Sequence, residues 1–377
     1  MVMDGLTRID REPGLEPSAA LSWFISPHGY GHAARACSVI AAVSRLCAGI
    51  RHHLFTTVPQ AFFDDSLVGV NFEFHSLECD IGMVQRTPLV EDVDGTIRAL
   101  KRLPLDGGRV FERIATEVSA TGSRLIVSDI APLGLAVADR LSLPGVLIEN
   151  FTWDWIYGAY GDPRLDVFSR RLGEIFGSAA LRIQTVPVCR PVRGAHTVPP
   201  VSRSRRLERN KVREALGIAA DQRLVLLSVG GLSGGAIGNG LRVPPTTILV
   251  VPGGGHGVKP EGNLIWIPTM GGPYHPDLVA ASDLVVAKLG YSTAAEVYHA
   301  GTSFAYLRRP TFPESPILEA FVEEHIPSAP LPEDWLDNPA TSRVIEDLLG
   351  AARSREIRPN GAKEAAELIL NSPGLQY

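Results

Sequence analysis

Hydrophobic residues are distributed along this chain in two alternating patterns. Leu21–Ile25 is a short, mostly apolar run of the kind that forms a buried strand, whereas Ala33–Cys47 repeats apolar residues every three or four positions, as a helix packed on a sheet does. The alternation continues through the first half of the chain and indicates parallel strands joined by helices, which is typical of an α/β fold. The further strands predicted there are His53–Thr57, Val70–His75, Arg124–Ser128, Val146–Glu149 and Leu181–Thr185, and the helices are Arg109–Ser119, Leu133–Leu141 and Leu165–Phe176.

A second series of the same kind follows a stretch rich in proline and arginine. The predicted strands are Leu224–Val229, Ile248–Val251, Leu264–Ile267, Leu284–Ala287 and Phe304–Leu307, and the helices are Pro276–Ala281, Ser292–His299 and Ala362–Leu370. We therefore expect two Rossmann-like domains that face each other across a ligand cleft. The expected organisation is a flexible tail at 1–18, a first domain at 19–186, a linker at 187–209, a second domain at 210–350, and a C-terminal helix and tail at 351–377.

Composition narrows the class of protein. The 377 residues exceed what one hydrophobic core usually supports, and 45% hydrophobic with 20% charged residues is ordinary for a soluble globular protein. A net charge of −5 argues against a nucleic-acid binder, so small molecules are the expected partners. The N-terminal residues lack a signal-peptide pattern, no run is long enough to span a membrane, and the cysteines are scattered without ligand-like spacing, which predicts a cytoplasmic location. The cysteines are Cys37, Cys47, Cys79 and Cys189.

A glycine-punctuated loop, Ser26–Arg35, follows the first predicted strand. Gly29 and Gly31 allow a sharp bend and the close approach of a ligand, and His28 and His32 lie on either side of that bend. Histidine suits proton transfer near neutral pH, and ligands of open parallel sheets bind past the carboxyl ends of the strands. The loop is thus predicted to be a catalytic site, although a simple strand-to-helix turn would also account for the glycines.

A second such loop, Lys288–Glu296, opens a helix in the second half. The unpaired N–H groups and partial positive charge of a helix start, together with the hydroxyls of Ser292 and Thr293, favour a phosphate or diphosphate. Glu296, one turn further, has a carboxylate that can accept hydrogen bonds from ribose hydroxyls. Ordinary helix capping is the competing interpretation of the same residues.

Four motifs in this order carry a family resemblance: Pro27–Arg35, Val127–Asp129, Asn150–Tyr157 and Lys288–Thr293. With them the chain resembles glycosyltransferases of the GT-B fold, and in particular the glycosyltransferase-like N-terminal half of plant arabinose kinases and its free-standing bacterial relatives. The resemblance covers most of residues 20–325. It implies that the first domain holds an acceptor, that the second holds a nucleotide-sugar donor, and that the sugar is transferred in the cleft.

The resemblance also implies residue roles. His32 occupies the position of the catalytic base and Asp129 that of the acid orienting it. His28 is a further catalytic candidate from its place in the loop, where capping of the turn is an equal alternative. The implied donor-binding residues are Gly231, Ser233, Trp266, Lys288, Gly290, Ser292, Thr293, Glu296, Glu314 and Ser315. The expected acceptor-binding residues are Tyr30, Asn150, Trp153 and Trp155, although aromatic residues are more often simply buried.

Two departures from the wider family bear on the donor. Lys288 stands where that family has a phosphate-binding histidine, and Ser315 stands where it has a sugar-binding glutamine, which leaves the sugar undetermined. Asp92 and Asp94 spell the metal-binding doublet of the other glycosyltransferase fold but lie in a stretch expected to be irregular, far from the donor half. No metal and no permanently bound cofactor is expected.

The sequence therefore predicts a metal-independent glycosyltransferase. Its co-substrate would be a nucleotide-diphosphate sugar, expected to be a UDP-sugar, and its acceptor the hydroxyl of a small molecule, with His32 as general base. A nucleotide-sugar binding module without turnover is the alternative, and a nucleotide-sugar epimerase is a more distant one. The sequence leaves the acceptor, the stereochemical outcome and the oligomeric state open.

Overall fold

The computed structural model describes residues 19–87, 90–105, 107–229, 241, 243–253, 257–269, 271–354 and 356–375. Their strands form two seven-stranded sheets and one two-stranded hairpin. All pairings within the two large sheets are parallel except one at the edge of the second sheet. The chain thus has the predicted α/β architecture with two Rossmann-like sheets.

The first sheet has the strand order β3-β2-β1-β6-β7-β8-β9. Its strands are β1 (Ala20–Ile25), β2 (Arg51–Thr56), β3 (Phe72–Ser76), β6 (Ser123–Asp129), β7 (Gly145–Glu149), β8 (Leu181–Thr185) and β9 (His196–Val198), and the hairpin consists of β4 (Gln85–Thr87) and β5 (Val90–Glu91). The helices of this half are α1 (Tyr30–Leu46), α2 (Gln60–Ser66), α3 (Val93–Leu100), α4 (Arg109–Ala120), α5 (Pro132–Arg140), α6 (Trp153–Ala159) and α7 (Pro163–Gly177).

Helices cover both faces of this sheet. Strand β1 is buried at all six positions, as expected for a central parallel strand, which explains its nearly continuous apolar sequence. Leu21 and Trp23 face a core shared with α1, and Phe24 faces a separate core shared with α4 and α5. Helix α1 is long and largely apolar because it is buried along most of its length.

The second sheet has the order β12-β13-β11-β10-β14-β15-β16. Its strands are β10 (Arg223–Ser228), β11 (Thr247–Pro252), β12 (Lys259–Glu261), β13 (Leu264–Ile267), β14 (Leu284–Lys288), β15 (Ser303–Leu307) and β16 (Ser328–Leu331). The described helices that follow α7 are α8 (Arg209–Ala215), α9 (His275–Ala281), α10 (Tyr291–Ala300), α11 (Ser315–His325), α12 (Pro339–Gly350) and α13 (Ala362–Leu370). Helix α13 returns to the first half and packs on α1.

Some elements were not expected. Residues 187–209 contain β9, which adds an edge strand to the first sheet, and the stretch expected to be irregular contains α3. Asp92 caps α3 by accepting a hydrogen bond from the Gly95 amide at 3.0 Å, and Asp94 pairs with Arg164 at 2.8 Å. The expectation of an irregular stretch was therefore wrong for Val93–Leu100, which form a helix. The N-cap and the ion pair account for the two carboxylates.

The order of the strands determines where a ligand can bind. In the first sheet the order reverses between β1 and β6, and in the second between β10 and β14. Loops past the carboxyl ends of such strands diverge and leave a crevice. The predicted catalytic loop follows β1, and the predicted donor loop follows β14, so each lies at a switch point. Across the described residues, no helix combines the length and apolar character required to cross a bilayer.

Candidate active site

A cavity of about 900 Å³ lies between the two sheets and is lined by the loops at both switch points. The starts of α1 and α10 meet there: a Cβ added to Gly31 would lie 3.5 Å from the Cβ of Ser292. Gly29, which precedes α1, has φ of 74°, a left-handed conformation that favours glycine. The predicted catalytic and donor loops therefore form opposite walls of one cavity.

His32 lies in this wall and is held from below by Asp129. The Nδ1 atom of His32 is 2.9 Å from Oδ1 of Asp129, which is the last residue of β6. Arg35, one helical turn after His32, donates to the same carboxylate from Nε at 2.8 Å and from a terminal nitrogen at 2.6 Å. All three side chains are buried, so the cluster is a fixed arrangement of an imidazole, a carboxylate and a guanidinium.

The environment keeps the Asp129 carboxylate ionised. Burial alone would raise its pKa, but the charge and hydrogen bonds of Arg35 outweigh burial and lower the pKa below its ordinary value. The next residue, Ile130, has φ of 45°, which is rare for a β-branched residue and costs about 1–3 kcal/mol. Such strain is typical of positions where the surrounding structure forces a particular side-chain placement.

Polar contacts continue from this cluster into the second half of the chain. Arg35 also donates to Oδ1 of Asn150 at 2.8 Å, and Nδ2 of Asn150 donates to Oε1 of Glu314 at 2.7 Å. Burial raises the pKa of the Glu314 carboxyl, and the Asn150 hydrogen bond opposes that rise. Asn150, predicted to contact the acceptor, thus connects the cluster of His32, Asp129 and Arg35 to a residue predicted to contact the donor.

The cavity wall formed by the predicted donor loop, called the donor wall below, carries positive charge. Lys288 ends β14 and lines the cavity, and its ammonium makes no hydrogen bond to any residue that the structure describes. Burial lowers its pKa, and the nearby charge of Arg309 lowers it further. Gly290, Ser292 and Thr293 line the same wall at the start of α10. A half-buried cation beside a helix N-terminus is suited to a diphosphate.

Glu296 also lines the cavity, but its carboxylate is already held by a guanidinium and an imidazole. Arg203 lies 3.1 Å from Oε1 and His275 Nδ1 lies 2.7 Å from Oε2. Burial would raise the pKa of Glu296, yet these partners lower it. The predicted contact with a ribose would have to share the carboxylate with these groups.

His28 occupies a different environment from His32. Its ring contacts Trp153 edge-on and stacks over Phe312, and burial lowers its pKa well below the ordinary value. Trp153 is fully buried and donates its indole N–H to Asp80 at 2.7 Å. The structure therefore places Trp153 beneath His28, where it supports the loop.

Three other predicted site residues, all within the described part of the chain, lie apart from the cavity wall. Trp155 packs in the core around α6 and α7. Trp266, expected to stack on a nucleobase, is buried in the core of the second sheet and donates to Glu261 at 3.2 Å. Ser315, at the start of α11, is buried. Gly231 and Ser233 lie outside the described residues, and Tyr30 is exposed at the cavity edge and stacks on Phe62.

The residues of the cavity wall that were not identified from the sequence include four basic side chains that pair with distant partners. Each lies far along the chain from at least one of its partners, so the sequence around it did not indicate that it would reach the cavity. They are Arg35, Arg203, His275 and Arg309.

Comparison with known proteins supports the fold. The curated L-arabinokinase of Arabidopsis thaliana is 26% identical over 327 residues, which cover 84% of this chain and 31% of that protein, so the chain spans about a third of its relative's length. The calicheamicin glycosyltransferase CalG4 superposes with a TM-score of 0.57 at 14% identity, covering 93% of both chains. Arabidopsis thaliana UGT89C1, solved with UDP, gives 0.60 at 12%, covering 94% of this chain and 98% of that one.

No protein-family model matches the chain. The structural neighbours are glycosyltransferases of the GT-B fold, and this chain has the same two-sheet fold. At these identities the structural likeness establishes the fold alone.

Proposed function

We propose that this protein transfers a sugar from a nucleotide-diphosphate sugar to a hydroxyl group of a small molecule. The observation that carries the proposal is the buried His32–Asp129 pair, 2.9 Å apart, in a cavity whose opposite wall is the start of α10. A cavity of this volume is within the range of small-molecule sites. A UDP-sugar is the expected donor, as the UDP complex of one structural neighbour suggests.

His32 acts as the general base in this proposal. Because its Nδ1 faces Asp129, the other ring nitrogen, Nε2, is the atom that takes the proton from the acceptor hydroxyl. The acceptor oxygen forms a bond to the anomeric carbon while the bond from that carbon to the diphosphate oxygen breaks. The proton goes to His32 and the electron pair leaves with the nucleoside diphosphate.

The donor wall stabilises the departing diphosphate. Lys288 supplies a desolvated positive charge, and the N–H groups and hydroxyls at the start of α10 supply hydrogen bonds directed at the same place. These groups can balance the developing charge themselves, so we include metal independence in the proposal. A cytoplasmic location is also part of it, motivated by the buried thiols of Cys37 and Cys79.

One observation favours the alternative of a nucleotide-sugar binding module. Arg35 makes two hydrogen bonds to the same carboxylate that His32 contacts, and this competition reduces the ability of Asp129 to stabilise a protonated imidazole. The alternative retains the donor wall and lacks the proton transfer. Donor turnover therefore separates the two functions.

The test begins with a panel of UDP-sugars screened by thermal stabilisation, followed by measurement of UDP release with and without candidate hydroxyl acceptors. His32→Ala should leave the Kd for UDP unchanged and reduce release by about a hundred- to ten-thousandfold, which is the usual contribution of a general base. Asp129→Asn should reduce release less, because the imidazole can then adopt the wrong tautomer.

A variant at an exposed histidine on β9, His196→Ala, serves as the matched control. Unchanged UDP release in a well-folded His32→Ala protein would contradict the role of His32 as base. UDP binding without release by the unaltered protein, with every donor and acceptor tested, would support the binding module instead.

A further inference from the structure

We propose that His53, Glu73 and His75 form a binding site for a zinc ion or a similar transition-metal ion at the edge of the first sheet. His53 lies on β2, and Glu73 and His75 lie on the adjacent edge strand β3. The strands are parallel, with His53 opposite Glu73 and Phe55 opposite His75. Residues paired across strands, and residues two apart along a strand, share a face, so the register brings all three side chains to one face.

The distances match those of a tetrahedral site. Zinc binds imidazole nitrogen and carboxylate oxygen at about 2.0–2.2 Å, so two ligand atoms at a tetrahedral angle lie about 3.3–3.6 Å apart. Nδ1 of His53 is 3.2 Å from Nε2 of His75. Oε2 of Glu73 lies 3.5 Å from the His53 nitrogen, and Oε1 of Glu73 lies 3.7 Å from the His75 nitrogen. The apo arrangement therefore needs only small adjustments to hold an ion.

The second nitrogen of His75 is also oriented by a carboxylate. Nδ1 of His75 lies 3.4 Å from Oε1 of Glu117 on α4, and the ring stacks on Phe55 with centroids 4.3 Å apart. A carboxylate behind a ligating imidazole fixes its tautomer and increases its basicity, which is the usual arrangement at zinc sites. This contact leaves the lone pair of Nε2 of His75 directed toward the ion.

The three ligands leave one position open. The His53 side chain is buried, whereas the Glu73 side chain is 67% exposed, so the open position faces solvent and would take a water molecule. Two imidazoles and one carboxylate suit zinc and its neighbours better than magnesium, which prefers oxygen ligands. The proposed ion would join β3 to β2 away from the cavity, and it has no step in sugar transfer.

A hydrogen bond between the two imidazoles, with no ion, is the competing explanation of the same contacts. It leaves the exposed Glu73 in a weak surface pair, and such pairs are worth little. The two explanations differ in what the protein does when zinc is added.

The experiment uses the full chain without a histidine tag, stripped with EDTA and dialysed. We expect isothermal titration to give one strong Zn²⁺ site, Mg²⁺ to give none, and Co²⁺ to produce the absorption bands of a four-coordinate ion. Glu73→Gln and His75→Gln should each weaken Zn²⁺ binding by at least tenfold, whereas His196→Ala, at the opposite edge of the sheet, should not. Circular dichroism verifies that the variants fold.

Zinc affinity that is unchanged in both ligand variants would overturn the proposal, as would the absence of a one-to-one site or equal binding of Mg²⁺. Because the site lies apart from the cavity, these results are independent of whether the protein transfers sugars.

Discussion

Replacing Arg35 by methionine tests how the buried catalytic cluster is held together. The guanidinium makes two hydrogen bonds to Asp129, at 2.8 and 2.6 Å, and one to Asn150 at 2.8 Å. Methionine fills a similar volume but leaves the Asp129 carboxylate in the interior without its guanidinium partner, hydrogen-bonded to the His32 imidazole. Removing one partner of a buried ion pair typically costs about 3–5 kcal/mol of folding free energy. We expect a loss of that size in urea unfolding.

The effect on catalysis follows from the same contacts. Without Arg35, Asp129 and Asn150 lose the group that fixes them, and the His32 ring loses its fixed orientation. Partners that orient a reacting imidazole, as measured at metal sites, are worth about 10- to 100-fold. We expect UDP release to fall by that factor while the Kd for UDP changes little, because the proposed diphosphate contacts lie on the opposite wall.

The matched control is Arg182→Met, which breaks another buried pair in the same sheet, with Glu149 at 2.9 Å. It should lower stability without lowering the rate of UDP release. The double variant Arg35→Met with Asp129→Asn removes both charges, so it should recover part of the stability lost in the single variant. If the double variant is as unstable as the single one, or if Arg182→Met slows release equally, the account of Arg35 is refuted.

Three further predictions concern the donor wall, the metal and acid stability. Lys288→Met should weaken UDP binding by about 10- to 100-fold and leave uridine binding unchanged, and an equal loss for both ligands in calorimetry would contradict a phosphate contact. UDP release should persist in excess EDTA, and loss with rescue by Mg²⁺ would contradict metal independence. Burial lowers the pKa of the His52 imidazole from 6.5 to about 4 in the folded protein. As the pH drops from 6.5 toward 4, the imidazole therefore takes up a proton in the unfolded chain but not in the folded one, and the free energy of unfolding falls. His52→Gln, which keeps an acceptor for the Trp23 indole, should flatten that fall by up to about 3 kcal/mol in unfolding followed by tryptophan fluorescence.

The sequence was most informative about strands that are buried on both faces, because their residues form one continuous apolar run. Strands such as β1 and β14 are continuous apolar runs because both faces are covered, and their carboxyl ends placed His32 and Lys288 at the cleft. Trp266 shows the limit of the same reasoning. It lies on β13, a strand whose residues are all buried, so hydrophobicity does not reveal which face each side chain occupies.

Contacts between distant elements were beyond prediction from the sequence for a different reason. Glu296 carries a predictable helix-start signal, but its partners Arg203 and His275 come from a stretch without helix or strand and from the start of α9. Pairings of this kind depend on how α9, α10 and the connecting stretch pack together. The basic stretch at 187–209 resembled a solvated linker, whereas Arg203 is in fact buried at the cavity wall.

The hydrogen bonds of Asn150 suggest how donor binding and proton transfer would be coordinated. Its amide accepts from Arg35, which holds Asp129, and donates to Glu314 across the cleft. A second bridge, Arg309 to Glu91 at 2.9 Å, is buried beside it. Only the side chains of Asn150 and Arg35 would therefore separate Asp129 from a sugar hydroxyl bound to Glu314. Each bridge joins the two halves of the chain, so opening the cleft would break both bridges, whereas the contacts of His32 and Arg35 with Asp129 lie within the first half and would remain.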